Sequence, residues 1–187
     1  MFIQTEATPN PATLKFIPGL QVLPQGTANF ASSDEADISP LAQRLFDIDG
    51  VSGVFLGGDF ISVTKETGEW SHLKPMLLGA IMEHFTAGLP VLNDKATAAP
   101  AGEQQPVYNS ADQEIVDQIV ELIDTRVRPV VAQDGGDIVF HGFETGVVYL
   151  HMQGACAGCP SSTMTLKNGI ERLLQHYVPE VVEVRQI

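Results

Sequence analysis

A chain of 187 residues that is 44% hydrophobic has the apolar material for one domain or two small ones. A net charge of -13 and a pI near 4.5 repel the phosphates of nucleic acid and suit an anionic membrane surface poorly. No apolar run reaches the roughly 18 residues a membrane span needs, so neither nucleic acid nor membrane is an expected partner.

The opening residues Met1-Phe2-Ile3-Gln4-Thr5-Glu6 contain neither a basic n-region nor an Arg-rich amphipathic stretch, which predicts no secretory or organellar presequence. Met1–Thr5 and Leu14–Ile17 read as strands separated by a rigid Thr8-Pro9-Asn10-Pro11 turn. Ser39-Pro40 supplies a capping hydroxyl and a first-turn proline for a helix that stops before Gly50. Val54-Phe55-Leu56 and Phe60–Thr64 predict a hairpin, with Gly57-Gly58 expected to take positive φ at its turn. Lys74-Pro75 is expected to open a second helix with Leu77, Leu78, Ile81, Met82 and Phe85 as its apolar stripe and Gly88 at its end. Trp70, Phe55, Phe60 and Phe85 are expected to fill this first core.

Residues 93–110 lose all apolar periodicity and read as a flexible linker, which as an 18-residue coil would span roughly 20–25 Å. Acidity belongs to both sides of it: residues 1–92 hold 10 acids and 4 bases, residues 111–187 hold 11 and 5.

Beyond the linker, Ser110-Ala111-Asp112-Gln113 reads as a capping box. Ile115, Val116, Ile119, Val120, Leu122, Ile123 and Val127 then mark a strongly amphipathic helix. Arg126 and Arg128 suit its last turn, and Pro129 is expected to limit it. Asp134-Gly135-Gly136-Asp137 predicts a tight turn whose two carboxylates act as turn formers. Strands follow over Ile138–Phe143 and Val147–Gln153, then a helix with Leu166, Ile170, Leu173, Leu174 and Tyr177 on one face, then a short strand over Val181–Arg185. The fold class is α+β: two small α/β-layered domains, residues 1–92 and 111–187, joined by the linker, with the order α-β-β-α-β in the second.

The only two cysteines, Cys156 and Cys159, lie three apart in Gly154-Ala155-Cys156-Ala157-Gly158-Cys159-Pro160-Ser161-Ser162, between a strand end and a helix start. Unpaired N–H groups and the dipole at a helix N-terminus favour thiolates, the form that binds metal or attacks. Gly154 and Gly158 let backbone approach a bulky inorganic core, and Pro160 with Ser161 and Ser162 suits a helix start. Four readings fit the motif: a shared iron–sulfur site, a thiol–disulfide redox pair, a zinc half-site, or two ordinary thiols. Only one helix and one strand follow the pair, fewer than a thioredoxin-like domain needs. No second CxxC and no histidine at finger spacing complete a zinc site within one chain; His151 reads as an ordinary strand residue. A twofold axis would supply four thiolates to one cluster. No nucleophile–base pair or phosphate loop is recognisable, so the chain is read as a non-enzyme.

Together with Thr165-Leu166-Lys167-Asn168-Gly169-Ile170 and the Asp134–Asp137 turn, this loop resembles the Nfu family, the NifU C-terminal-domain proteins of iron–sulfur cluster biogenesis. The first half resembles that family's N-terminal domain through Thr8-Pro9-Asn10-Pro11, Lys15-Phe16, Gly50-Val51, Val54-Phe55 and Asp59–Lys65. The resemblance implies a carrier that binds a [4Fe–4S] cluster between two subunits, with Cys156 and Cys159 of each as ligands, and passes it to apo-proteins. Implied partners are a second copy of the chain, upstream scaffold proteins and apo client proteins. A thiol–disulfide oxidoreductase is the alternative. The lack of a presequence is taken to point to a bacterial cytoplasm.

Overall fold

The computed structural model describes residues 1–93, 106–157 and 160–187, with backbone alone for 160–162. The chain divides into two compact units, Met1–Ala101 and Gly102–Ile187.

In the first unit, strands β1 (Gln4–Ala7), β2 (Thr13–Ile17), β3 (Ala28–Phe30), β4 (Val51–Leu56) and β5 (Ile61–Lys65) form an antiparallel sheet of order β1-β2-β5-β4-β3. Helices α1 (Pro40–Phe46) and α2 (Trp70–Thr86) contribute Leu41, Leu45, Leu77 and Ile81 to one core with Phe16, Phe30, Leu56 and Ile61 of the strands. Each such fully buried side chain contributes roughly 1.5–3 kcal/mol. The turn at residues 8–11 is rigid because its polar groups are used internally. Thr8 Oγ1 meets the carbonyl of Asn10 at 2.8 Å and that of Thr13 at 2.9 Å, and Asn10 Oδ1 accepts from Ala12 N–H at 3.0 Å. Ser39 caps α1 as expected, accepting from Ala42 N–H at 3.1 Å, and donates to the Val91 carbonyl at 2.6 Å.

Three expectations for this unit change. The hairpin glycines Gly57 and Gly58 do not take positive φ; a Cβ on Gly57 would instead stand 2.3 Å from the Phe60 ring, so closeness and not handedness demands the glycine. Helix α2 begins at Trp70 and carries Pro75 inside it, because Leu73 anchors the turn before the proline in the core, one helical turn from Leu77. Phe55 lies between two core residues, Val54 and Leu56, so alternation puts it on the opposite sheet face. There its ring meets Phe60 at 5.9 Å, and Lys15 Nζ lies 4.8 Å from the Phe60 ring centre and 3.6 Å from Glu6 Oε2. Trp70 and Phe85 pack at the core margin, with Trp70 Nε1–H donating to the Pro11 carbonyl at 3.1 Å. Strand β3 and a short 3₁₀ turn at Asp34–Ile38 carry no periodicity long enough to be read from sequence.

In the second unit the order is helix, two strands, helix, strand. Helix α3 (Gln113–Leu122) passes through a π-helical turn (Ile123–Val127) into α4 (Arg128–Gln133). Strands β6 (Gly136–Glu144) and β7 (Val147–Gly154) form a hairpin, α5 (Pro160–Tyr177) crosses over, and β8 (Glu183–Gln186) lies parallel to β7. The sheet order is β6-β7-β8. Val148, Leu150 and Met152 point into the core, while His151 is exposed and its Nδ1 lies 3.0 Å from the Ile187 carbonyl oxygen.

Pro129 does not stop the helix. The wider π turn before it absorbs the missing N–H, and the apolar stripe Val116, Ile119, Ile123, Val127, Val131 runs through unbroken. The expected capping box does not form: Gln113 Oε1 accepts from Tyr108 O–H at 3.0 Å and its Nε2 donates to Asp117 at 2.7 Å. Tyr177, expected on the core face of α5, is exposed under the Arg126 guanidinium, 4.9 Å from its ring centre. Of the stretch read as linker, 94–105 lie outside the described residues, whereas Val107 bridges to Gly142 and exchanges backbone hydrogen bonds with His141 and Phe143 at 3.0 Å.

His84 gives the first unit a pH dependence. It is fully buried; its Nε2–H donates to the Pro90 carbonyl at 3.1 Å, and its Nδ1 has no hydrogen-bond partner among the described residues. Burial pushes the imidazole below its ordinary 6.5, with the Arg44 charge acting the same way against two backbone hydrogen bonds. A depressed folded pKa means the unfolded chain takes up the proton first, so stability present above 6.5 is lost as pH falls below it. Denaturant unfolding followed by the fluorescence of Trp70, the single tryptophan, is expected to show a lower midpoint as pH drops below about 6.5. His84→Gln, which keeps a donor for Pro90, removes most of that slope.

Candidate functional site

The cysteine loop leaves the end of β7 and is gripped by the turn that follows α4. In the β6–β7 ladder Gly136 stands opposite Gly154 and Asp137 opposite Gln153. The Ala155 N–H donates to the Gly135 carbonyl at 3.2 Å and the Ala157 N–H to the Gly154 carbonyl at 3.1 Å. Gly154 has φ +64° and Gly135 φ +79°, backbone states that glycine enters without a steric cost. A Cβ on Gly136 would stand 2.6 Å from Cys156 Sγ and 2.7 Å from the Gln153 carbonyl oxygen, so the missing side chain is what makes room for the sulfur. From the other side Thr163 Oγ1 donates to the Cys156 carbonyl at 3.1 Å, tying the first turn of α5 to the loop.

Cys156 is 7% exposed and packs in the second core. That setting reverses the expectation of a ready thiolate. Burial pushes the thiol up to about 12, and the nearby carboxylates of Asp134 and Asp137 push the same way. Desolvation and two like charges outweigh whatever the start of α5 supplies. Cys159 and Gly158 lie outside the described residues, as do the side chains of Pro160, Ser161 and Ser162. Among the described residues no group of three or more His, Cys, Asp or Glu side chains gathers to hold a metal ion. Cys156 is the residue there whose chemistry suits a soft metal.

Asp137 is more than a turn former. Its carboxylate is buried and held by both arms of Arg128: Nε donates to Oδ1 at 2.9 Å and Nη2 to Oδ2 at 2.7 Å. Oδ1 also accepts from the Ile138 N–H at 2.8 Å. The third guanidinium nitrogen, Nη1, donates to Asp124 at 3.2 Å. The hydrogen bonds to Asp137 raise the guanidinium above its usual range, against the opposing effect of burial. Sequence reading missed Arg128 here because its place at a helix end already had a bland explanation. The available signal was a carboxylate directly ahead of an apolar strand, where only a paired charge is tolerated. Thr163 had no signal at all. Asp134 stays exposed at the turn.

Comparison with known proteins covers both units. A family profile described as "Scaffold protein Nfu/NifU N terminal" matches residues 3–88, and one described as "NifU-like domain" matches residues 119–185. The chain is similar over its whole length to the "NFU1 iron-sulfur cluster scaffold homolog, mitochondrial" of Drosophila sechellia, at 53% identity and 65% of that protein's length. It is likewise similar to the protein of the same name from Homo sapiens, at 50% identity and 72% of its length. A NifU-like protein from Saccharomyces cerevisiae, solved in solution, matches 50% of this chain and 86% of that one, with 27% identity and a TM-score of 0.46. These relatives overturn the expected bacterial cytoplasmic location: they are mitochondrial proteins of eukaryotes. A chain that spans 65% of a relative says nothing about targeting by where it starts.

Gly136→Ala is expected to destabilise the metal-free protein by about 1–3 kcal/mol, since the clash is with backbone and a buried sulfur. Gly169→Ala in α5, where a Cβ meets nothing within 4 Å, is expected to stabilise it by roughly 0.5–1 kcal/mol. Equilibrium denaturant unfolding reads both.

Proposed function

The chain belongs to the Nfu family of iron–sulfur cluster scaffold proteins, and from that membership we propose a specific role. It carries a [4Fe–4S] cluster between two copies of the chain, held by Cys156 and Cys159 of each, and delivers it to apo-proteins. The observation that carries this reading is sulfur stoichiometry. The chain has two cysteines, half of what a cubane cluster usually takes, on a loop that Gly136 and Thr163 hold beside the second core. Residues 106–187 bind the cargo, and residues 1–92, which contain no cysteine, serve contacts with upstream scaffolds and clients.

The mechanism follows from the state of Cys156. The Cys156 thiol is buried, and burial pushes it up to about 12. Ligation by the thiolate would release its proton to solvent, so metal affinity would rise with pH. Client thiolates would take the cluster by displacing the chain's thiolates one ligand at a time. In this reading the protein works as a carrier and not as a catalyst.

Anaerobic reconstitution with ferrous iron and sulfide is expected to give a coloured dimer with about four iron and four sulfide per two chains. Cys156→Ser or Cys159→Ser removes the colour and the cluster-dependent dimer. Loaded protein that runs strictly as a monomer, or that keeps its iron after both substitutions, would sink the proposal.

A further inference from the structure

We infer that Arg128 is a positioning residue for the cargo: its guanidinium neutralises the Asp137 carboxylate, so that an anionic, thiolate-bound cluster can sit at Cys156. This rests on the carrier reading above.

Three observations carry it. First, Asp137 directly follows Gly136, the residue against which the Cys156 sulfur packs. An acidic chain of net charge -13 thus places a buried carboxylate beside the point where a cluster with four thiolate ligands, itself an anion, would be held. Second, Arg128 meets that carboxylate with a two-pronged contact at 2.9 and 2.7 Å, the geometry in which guanidinium and carboxylate match best. Third, the helix is built to deliver this one side chain. The π turn Ile123–Val127 carries the chain helically past the Pro129 barrier, so that Arg128 opens α4. Asp124, four residues earlier, holds the remaining nitrogen at 3.2 Å. Of the two carboxylates near Cys156, the buried one is neutralised and the other, Asp134, is left to solvent.

The test uses the full chain, loaded anaerobically with ferrous iron and sulfide. It compares wild type, Arg128→Gln, Arg128→Lys and Asp137→Asn. The lifetime of the cluster's visible absorbance after adding a chelator is read beside its reduction potential and the thermal unfolding of each metal-free protein. Arg128→Gln, which bares Asp137, is expected to shorten the lifetime about tenfold, equivalent to about 1.4 kcal/mol, and to lower the potential. Arg128→Lys, which keeps the charge without the fork, stays within about threefold of wild type. Asp137→Asn keeps or lengthens the lifetime and raises the potential, even though losing the pair lowers its unfolding temperature. An unchanged lifetime in Arg128→Gln overturns the inference. So does a loss in Asp137→Asn equal to that in Arg128→Gln with no shift in potential, since the pair would then be a structural clamp alone. Failure of the wild type to load, or retention of the cluster in Cys156→Ser, overturns the carrier reading itself and the inference with it.

Discussion

The close approach of Cys156 to Gly136 governs the second unit. A sulfur can reach the start of β6 because no Cβ stands in its way, and the rest of the site is arranged around that contact. The glycine turn is held by backbone bonding to the loop, and Asp137 is anchored by Arg128. The loop is pinned from the far side by Thr163. The Cys156 sulfur is thereby packed in an apolar core, where burial raises its pKa.

Electrostatics around the loop run against the simplest expectation for a metal site. Two carboxylates, not a cationic cluster, neighbour the sulfur, and burial adds to their effect. The compensation is local: one guanidinium is matched to one buried carboxylate. A buried ion pair of this sort is weak support for stability, because desolvation offsets much of the attraction. Removing one partner is costly, because the other is left unpaired. That asymmetry makes the Arg128–Asp137 pair a device for shaping the site's charge more than for holding the fold.

The first unit has a different economy. Its sheet carries one core beneath α1 and α2 and a small aromatic and cationic cluster, Phe55, Phe60 and Lys15, on the other face. Strict alternation along β4 divides Phe55 from its neighbours Val54 and Leu56, so a run of three apolar residues serves two surfaces. Composition could assign these phenylalanines to a buried place and could not say which face they occupied.

Local chemistry by itself determined much of this protein. Periodicity marked α3 and α5, Ser39-Pro40 marked the start of α1, Gly88 marked the end of α2, and the Thr145-Gly146 turn joined β6 to β7, because each signal acts within a few residues of its effect. The paired cysteines and their glycine neighbours were sufficient to indicate soft-metal chemistry and a shortage of ligands. Tertiary structure decided whatever depended on residues far apart in the chain or on the balance of burial against propensity. It carried the helix through Pro129 by a π turn, because an unbroken apolar stripe from Val116 to Val131 outweighs one missing hydrogen bond. It joined Arg128 to Asp137 across nine residues and set Cys156 against Gly136 across twenty. It also placed Cys156 where burial and nearby carboxylates raise its pKa, since that is set by the solvent and charges around the sulfur, which no stretch of sequence specifies.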